Sequence, residues 1–257
     1  MIIEYIAKIS LKKFFGINDE NWGKGFSEWR NVTRAVPQFK GHYQPRLPRD
    51  LGFYDLRLKD TQSEQIEMAK HYGIYGFCFY YYWFNGKKIL DKPLKNILEN
   101  KDLNIPFCLC WANENWTKKW DGKNHDVILE QSYSPDDDLK FIHSISLYLL
   151  DKRYIRIQNK ALIIIYRPEL LPDVYKTIKI WKNYAKENDL GELMVIGTTT
   201  SLKDKKIKSL GLDGIVQFPP NTVHNQNVAF LHKFYNKNFS GKVYDYKDSS
   251  EKCLNQL

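Results

Sequence analysis

The sequence predicts an α/β protein of the (β/α)8 TIM-barrel type. Its 257 residues suit one large domain. Short, nearly continuous apolar runs alternate with amphipathic segments, as expected for parallel strands buried on both faces and joined by helices. The phosphate-binding motifs GxGxxG and GxxxxGKS/T are both absent. Their absence disfavours the nucleotide-binding forms of the alternative, an open doubly wound sheet.

Five apolar runs predict strands that should pair in parallel and in sequence order. They read GFCFYYYW at 76–83, PFCLCWAN at 106–113, ALIIIYR at 161–167, LMVIGT at 193–198 and GIVQF at 214–218. The segment IIEYIAKI near the start offers only a doubtful further strand. Because a barrel needs eight strands, the sequence predicts an incomplete one, with about five to six βα units.

Helical segments separate these strands. One begins with three aspartates, which complement the positive end of a helix dipole, and another places Val174, Ile178 and Trp181 on one face. The predicted helices are 61–72, 136–150 and 173–188.

Composition and charge exclude several classes of protein. The net charge is +9, from 39 basic and 30 acidic residues, but the lysines are spread along the chain and no nucleic-acid motif occurs. No apolar run reaches the roughly 18 residues of a membrane helix, and MIIEYIAKISLKKFF is a poor signal peptide. We therefore expect a soluble, cytoplasmic protein with no integral membrane segment and no nucleic-acid partner.

The cysteines do not indicate a zinc site. Cys78, Cys108 and Cys110 lie in apolar runs, where a reduced thiol behaves as a small buried hydrophobe. No CxxC pair indicates zinc. We expect no metal and no cofactor.

Aromatic residues make up 15% of the chain, which fits either a thick aromatic core or a glycan-binding surface. In parallel α/β proteins, site residues follow the carboxyl ends of strands. The richest such segment, 111–126, combines indole rings that can stack on sugars, amides that can bond hydroxyl groups, and Glu114 as a candidate general acid. Alternatively, the tryptophans seal the barrel end and Glu114 pairs with a lysine. The other candidates in this segment are Trp111, Asn113, Asn115, Trp116 and Trp120.

Further candidate contacts lie elsewhere in the chain. Tyr82 and Trp83 end the first clear strand. Arg167 follows another and suits either recognition of a carboxylate or phosphate or an internal ion pair. The irregular, aromatic-rich segment 21–57 supplies Glu28, Trp29, His42, Tyr43 and Arg46, although a lone histidine such as His42 is more often structural.

Several long strings resemble the WbsX-type glycosyltransferases, also described as glycoside hydrolase family 99-like proteins. They include WGKGFSEW, FKGHYQPRLP, LGFYDLR, YGIYGFCFYYYWFNGKKIL, PFCLCWANENWTKKWDG, IIIYRPELLPD and GIVQFPP, and they span about 21–220. The resemblance implies a TIM barrel. It also implies a role in O-antigen or capsule assembly, or in cleaving mannose-type glycans, without deciding between transfer and hydrolysis.

The sequence departs from the family pattern at both ends. A strand reading like AYYLPQFHP is replaced by MIIEYIAKISLKKFFGINDE. Members of the family also continue to a seventh and an eighth strand, the latter ending in a WNEWxE-like motif with paired glutamates that this sequence lacks, so the resemblance implies that the last two strands of the barrel are missing. We therefore expect a divergent segment at 1–20, a glycan-active barrel domain at 21–220 and a tail at 221–257. The alternative function is a non-catalytic or vestigial glycan binder. Unpaired barrel edges would promote self-association.

Overall fold

A computed structural model of the chain describes residues 2–5, 24, 26–117, 126–199, 210–217 and 227–254. Contacts divide the chain into two units. The first unit comprises Met1–Phe26 and Tyr54–Val216, and the second comprises Ser27–Phe53 and Gln217–Leu257. The division at residues 20 and 220 that the sequence suggests remains a prediction.

The main sheet has a central path of strands that follows the order of the chain. The strands are β1 Ile2–Tyr5, β2 Gly76–Phe84, β3 Lys87–Ile89, β4 Phe107–Trp111, β5 Trp116–Thr117, β6 Val127–Leu129, β7 Arg156–Ile157, β8 Lys160–Ile165, β9 Leu193–Thr199 and β10 Gly214–Gln217. The path runs β1-β2-β4-β8-β9-β10. Its first four pairings are parallel. Antiparallel β3 and β7 pair with β2 and β8, while β5 and β6 form a separate hairpin.

The path confirms the predicted strand order, and its pairings from β2 to β9 confirm the predicted parallel direction. A doubly wound sheet would reverse its order at a switch point, and the described path has no reversal. The strand predicted only doubtfully near the start is present, because Ile2–Tyr5 runs parallel to β2 with Ile2 opposite Gly76. The position before β2 is thus occupied. The described strands do not show a closed barrel.

The described helices lie between the strands along the chain and in the second unit. Their bounds are α1 Glu28–Arg34, α2 Lys59–His71, α3 Lys92–Glu99, α4 Pro135–Leu149, α5 Val174–Glu187 and α6 Tyr246–Leu254. Ser134 caps α4 by accepting the Asp137 backbone N–H at 3.1 Å, and Asp173 caps α5 by accepting that of Lys176 at 2.9 Å. These caps explain why the two helices begin where the aspartates and the apolar stripe predicted.

The core of the first unit lies between the sheet and helices α2 to α5. Trp111 of β4 packs on Phe141 of α4 at 4.7 Å and on Trp181 of α5 at 5.7 Å between ring centroids. All three side chains are fully buried. Because side chains alternate along a strand, Cys78 and Cys108 point to the opposite face, where they are register partners and remain free thiols.

The second unit is held partly by ring stacking. Phe39 stacks on His42 at 4.9 Å and on His232 at 4.0 Å, and it forms an antiparallel bridge with Phe234. A short 3-10 helix at Ala229–Leu231 and helix α6 belong to this unit. Within the residues that the structure describes, no helix is long and apolar enough to cross a membrane.

Candidate functional site

The exits of β4 and β8 are joined by one side chain. Asn113 is fully buried, and its Oδ1 accepts the Arg167 backbone N–H at 2.7 Å while its Nδ2 donates to the Arg167 carbonyl at 2.8 Å. The Tyr133 hydroxyl donates to the Asn113 carbonyl at 2.8 Å. These bonds fix the segments that follow the two strands relative to each other.

Arg167 lies between two carboxylates. Its Nε donates to Glu169 Oε1 at 2.5 Å, and its Nη1 lies 3.5 Å from Glu114 Oε2. Between a quarter and a third of each of the three side chains is exposed. Burial lowers the pKa of Arg167, but the bond to Glu169 and the charges of both glutamates outweigh it and raise that pKa. We call Glu114, Arg167 and Glu169 the ion cluster.

A row of aromatic rings ends next to the ion cluster, and its tyrosines lie on the sheet face opposite α4 and α5. The ring of Trp116 stacks on Tyr82 at 6.2 Å, Tyr82 lies 5.9 Å from Tyr80, and Tyr80 meets Tyr166 edge to face at 5.7 Å. All four are half-buried. The row ends at Tyr166, the residue before Arg167, and starts at Trp116, two residues after Glu114. We call Tyr80, Tyr82, Trp116 and Tyr166 the aromatic row.

Two predicted sugar contacts are placed in the core instead. Trp111 is fully buried and Trp83 is 4% exposed. The Trp83 indole donates to both Asp137 carboxylate oxygens at 2.9 and 3.1 Å, and among the described residues the Trp111 indole N–H has no hydrogen-bond partner. The sequence grouped both rings with Glu114 because all three lie at or just after strand ends. Strand alternation corrects this, since Trp83 and Trp111 point to the helices and Tyr82 points away.

Two residues that no sequence motif marks support the site. Gln131 donates through Nε2 to the Trp83 carbonyl at 2.8 Å, and its backbone N–H bonds Asn115 Oδ1 at 2.8 Å. Burial and the nearby charge of Glu114 raise the pKa of Tyr133 to about 12, so its hydroxyl stays a donor at neutral pH. Sequence reasoning misses both residues because their role depends on a hairpin that returns to the strand exits.

The other predicted contacts lie in the second unit. Glu28 opens α1, and Trp29 meets Phe53 edge to face at 5.4 Å. His42 accepts the Gln38 backbone N–H through Nδ1 at 3.2 Å. Tyr43 is 68% exposed, with the Arg46 guanidinium 5.8 Å from its ring. Trp120 lies outside the described residues.

The part of the chain described by the structure contains no group of three or more His, Cys, Asp or Glu residues that could hold a metal ion. The chemistry that the site offers is that of carboxylates, a guanidinium and aromatic faces. These groups can bond hydroxyls, move a proton and stack on an apolar ring face.

Comparison with known proteins identifies the family. The family profile described as "Glycosyltransferase WbsX" matches residues 9–257. The chain belongs to the WbsX glycosyltransferase family. Two relatives of this WbsX-family chain, each named "Uncharacterized protein WxcX", come from strains B100 and ATCC 33913 of Xanthomonas campestris pv. campestris. Each is 44% identical over 231 residues, which is 90% of this chain and 33% of the relative. The chain thus spans about a third of their length.

Solved structures share the fold of this WbsX-family chain. Two structures of a GH99 endo-alpha-mannosidase from Bacteroides thetaiotaomicron align with TM-scores of 0.51. The one in complex with bis-tris-propane is 16% identical and the other 15%. The alignments cover 84% and 83% of this chain, and 58% and 59% of the mannosidase chains. At this identity, the likeness concerns the fold.

Proposed function

We propose that this chain is a carbohydrate-active domain that acts on a glycan in the synthesis or processing of bacterial O-antigen or capsular polysaccharide, in the cytoplasm. The observation that carries the proposal is the ion cluster beside the aromatic row, at the carboxyl ends of parallel strands. Membership of the WbsX family supports the carbohydrate class. The fold shared with endo-alpha-mannosidases makes mannose-containing glycans the first substrates to test.

In this proposal, Tyr82 and Trp116 form the sugar-stacking surface. Their rings are nearly parallel, with an interplanar angle of 25°, and both are half-buried, so each retains exposed ring surface. Pyranose rings present apolar C–H faces that pack on such surfaces. Asn115 would bond hydroxyl groups at the rim of the same hairpin.

Glu114 is the proposed catalytic carboxylate. Breaking a glycosidic bond needs an acid that protonates the bridging oxygen and a second carboxylate that acts as base or nucleophile, whereas making one needs a base that takes the proton of the acceptor hydroxyl. Glu169 is the second carboxylate that shares Arg167, and Arg167 would orient both glutamates. In the second unit, Glu28, Trp29, His42 and Tyr43 remain proposed sugar contacts.

Glycan binding is the first test. Saturation-transfer NMR would probe the purified chain with α-mannose oligosaccharides and a panel of bacterial O-antigen fragments. We expect binding that Trp116→Ala and Tyr82→Ala weaken by roughly tenfold or more, the scale of one lost stacking contact. Tyr175→Ala, which removes a 59% exposed ring on α5, is the matched control and should bind as the unaltered chain does. Failure of every glycan to bind would reject the proposal.

Catalysis is tested separately on any glycan that binds. We expect product formation that Glu114→Gln reduces by at least about 100-fold, the usual contribution of a positioned acid or base, while affinity changes little. Glu187→Gln on the exposed side of α5 is the control. Release of a reducing sugar would identify hydrolysis, and a glycan lengthened in the presence of an activated sugar donor would identify transfer. Binding without turnover in the unaltered chain would instead identify a non-catalytic binder.

A further inference from the structure

We propose that Asn113 is a positioning residue, whose buried amide holds the backbone of Arg167 and thereby sets the guanidinium between Glu114 and Glu169. The sequence suggested that this amide contacts sugar hydroxyls. Both of its side-chain heteroatoms are instead bonded to Arg167, and the residue is fully buried. Only the consequence for glycan binding rests on the proposed function.

The side-chain amide of Asn113 bonds Arg167 just beyond the last paired residues of β4 and β8. The register of β4 and β8 ends with Trp111 opposite Ile165, and the next bond runs from the Tyr166 N–H to the Trp111 carbonyl at 3.1 Å. The chain then turns, with the Asn113 N–H donating back to the Trp111 carbonyl at 3.0 Å. Beyond this point the Asn113 side chain supplies the donor and the acceptor for Arg167 that a continuing strand would have supplied.

The anchored backbone determines where the Arg167 side chain can reach. Arg167 has φ −131° and ψ 71° and is the residue before the 3-10 helix Pro168–Leu170. Ion pairs that are partly exposed contribute little to fixing long side chains. Two hydrogen bonds from a buried amide contribute more, because breaking them leaves buried polar groups without partners. The Tyr133 hydroxyl adds a third bond, to the Asn113 carbonyl.

The test follows the Arg167 side chain directly by NMR. In the 15N-labelled full chain, the Arg167 Nε–H resonance is identified by its loss in Arg167→Lys. We expect Asn113→Ala to move this resonance to the position of solvent-exposed arginines, because the guanidinium leaves Glu169. Asn113→Asp retains the acceptor for the Arg167 N–H but loses the donor, so the resonance should move part of the way.

The control removes a comparable buried amide elsewhere. Asn96 is 4% exposed and donates to the Arg57 carbonyl at 2.9 Å. Asn96→Ala should lower the melting temperature as Asn113→Ala does, yet leave the Arg167 resonance in place. The Nε–H of Arg153, bonded to Asp151 at 2.9 Å, is an internal reference that should stay fixed in the Asn113 variants.

An unchanged Arg167 resonance in Asn113→Ala would overturn the proposal. Should that variant not fold, an unchanged resonance in Asn113→Asp would do the same. Glycan titration is a separate readout, in which Asn113→Ala should weaken binding by roughly tenfold, the worth of one typical hydrogen bond. If the unaltered chain binds no glycan, the proposed function fails while the NMR result still decides the role of Asn113.

Discussion

At the scale of single residues, two tryptophans five positions apart have different surroundings. Trp111 lies between Phe141 and Trp181 in the core, whereas Trp116 is half-buried and stacks on Tyr82. The difference arises because strand β4 ends between them and the chain turns into the β5–β6 hairpin. Indole rings near a strand exit are therefore not equivalent candidates for ligand contact.

This contrast predicts unequal effects of truncating the two rings. Trp111→Ala should lower the free energy of unfolding by about 3–5 kcal/mol, because it leaves a large cavity in a close-packed core. Trp116→Ala should cost about 1 kcal/mol or less, because its ring is only partly buried. Urea unfolding followed by circular dichroism measures both values. Equal losses would contradict the placement of Trp111 in the core.

At the scale of elements, α4 carries two buried carboxylates in its first turn. Asp137 accepts from the Trp83 indole, and Asp138 accepts the Thr177 hydroxyl of α5 at 2.8 Å. The Trp181 indole donates to the Asp138 carbonyl at 3.0 Å, which further joins α4 to α5. Burial raises the pKa of Asp138 from its ordinary 3.8 to about 6. The helix interface therefore contains a group that titrates in mildly acidic solution.

Asp138 should make the stability of the protein depend on pH. The folded protein binds this proton more tightly than the unfolded chain, so the contribution is complete below about pH 4 and is lost as pH rises to about 6. The resulting change in the free energy of unfolding is at most roughly 3 kcal/mol. The Asp138→Asn side chain stays neutral and can still accept from Thr177, so this variant should lack the pH-dependent contribution of Asp138. Its stability relative to the unaltered protein should therefore increase between about pH 4 and 7.

Urea unfolding at several pH values tests this expectation. Asp136 lies in the same turn but is exposed, so Asp136→Asn should retain the Asp138 contribution. A stability difference between Asp138→Asn and the unaltered protein that stays constant from about pH 4 to pH 7 would exclude Asp138 as the titrating group.

Tight turns explain two strands that no apolar run predicted. Strand β3 returns along β2 through Asn85 and Gly86, with φ of 43° and 86°, and β7 precedes β8 through Gln158 and Asn159, with φ of 51° and 63°. Positive φ at both central residues is typical of the tight turns that suit twisted hairpins. Asn85-Gly86 is a strong turn signal, so β3 could have been predicted from sequence.

At the scale of the whole molecule, the sheet path of the described residues ends at β1 and β10. Each of these strands is paired on one side within that path, and Val216 in β10 is 38% exposed. Unpaired backbone groups at a sheet edge can pair with another chain. The predicted self-association is thus most directly tested at β10.

We expect the purified chain to show an average mass above 30.5 kDa that rises with concentration. Size-exclusion chromatography with light scattering measures it. Val216→Lys should reduce association, since a charge at an edge opposes pairing. Leu147→Lys, at a 70% exposed position in α4 and away from any strand edge, is the matched control. A monomer whose mass does not vary with concentration would refute this expectation.

Local patterns in the chain were enough to predict the central strands, their parallel order, the two long helices of the core and the segment that carries Glu114. Apolar runs, helical periodicity and capping residues each act within a few positions of the chain, so they can be read without knowing the fold. The family resemblance rests on long strings of the same kind. The strand exits also mark Tyr82, Asn113, Trp116 and Arg167 as candidates.

The roles of these candidates depend on contacts between distant parts of the chain. Glu114 and Arg167 meet because two strands far apart in sequence are neighbours in the sheet, and the amide of Asn113 is used by the Arg167 backbone for the same reason. Whether an indole faces helices or the opposite side depends on strand register, which a shift of one residue inverts. Trp111 and Trp116 both lie near a strand exit in the sequence, and only the structure shows that Trp111 is in the core while Trp116 stacks on Tyr82.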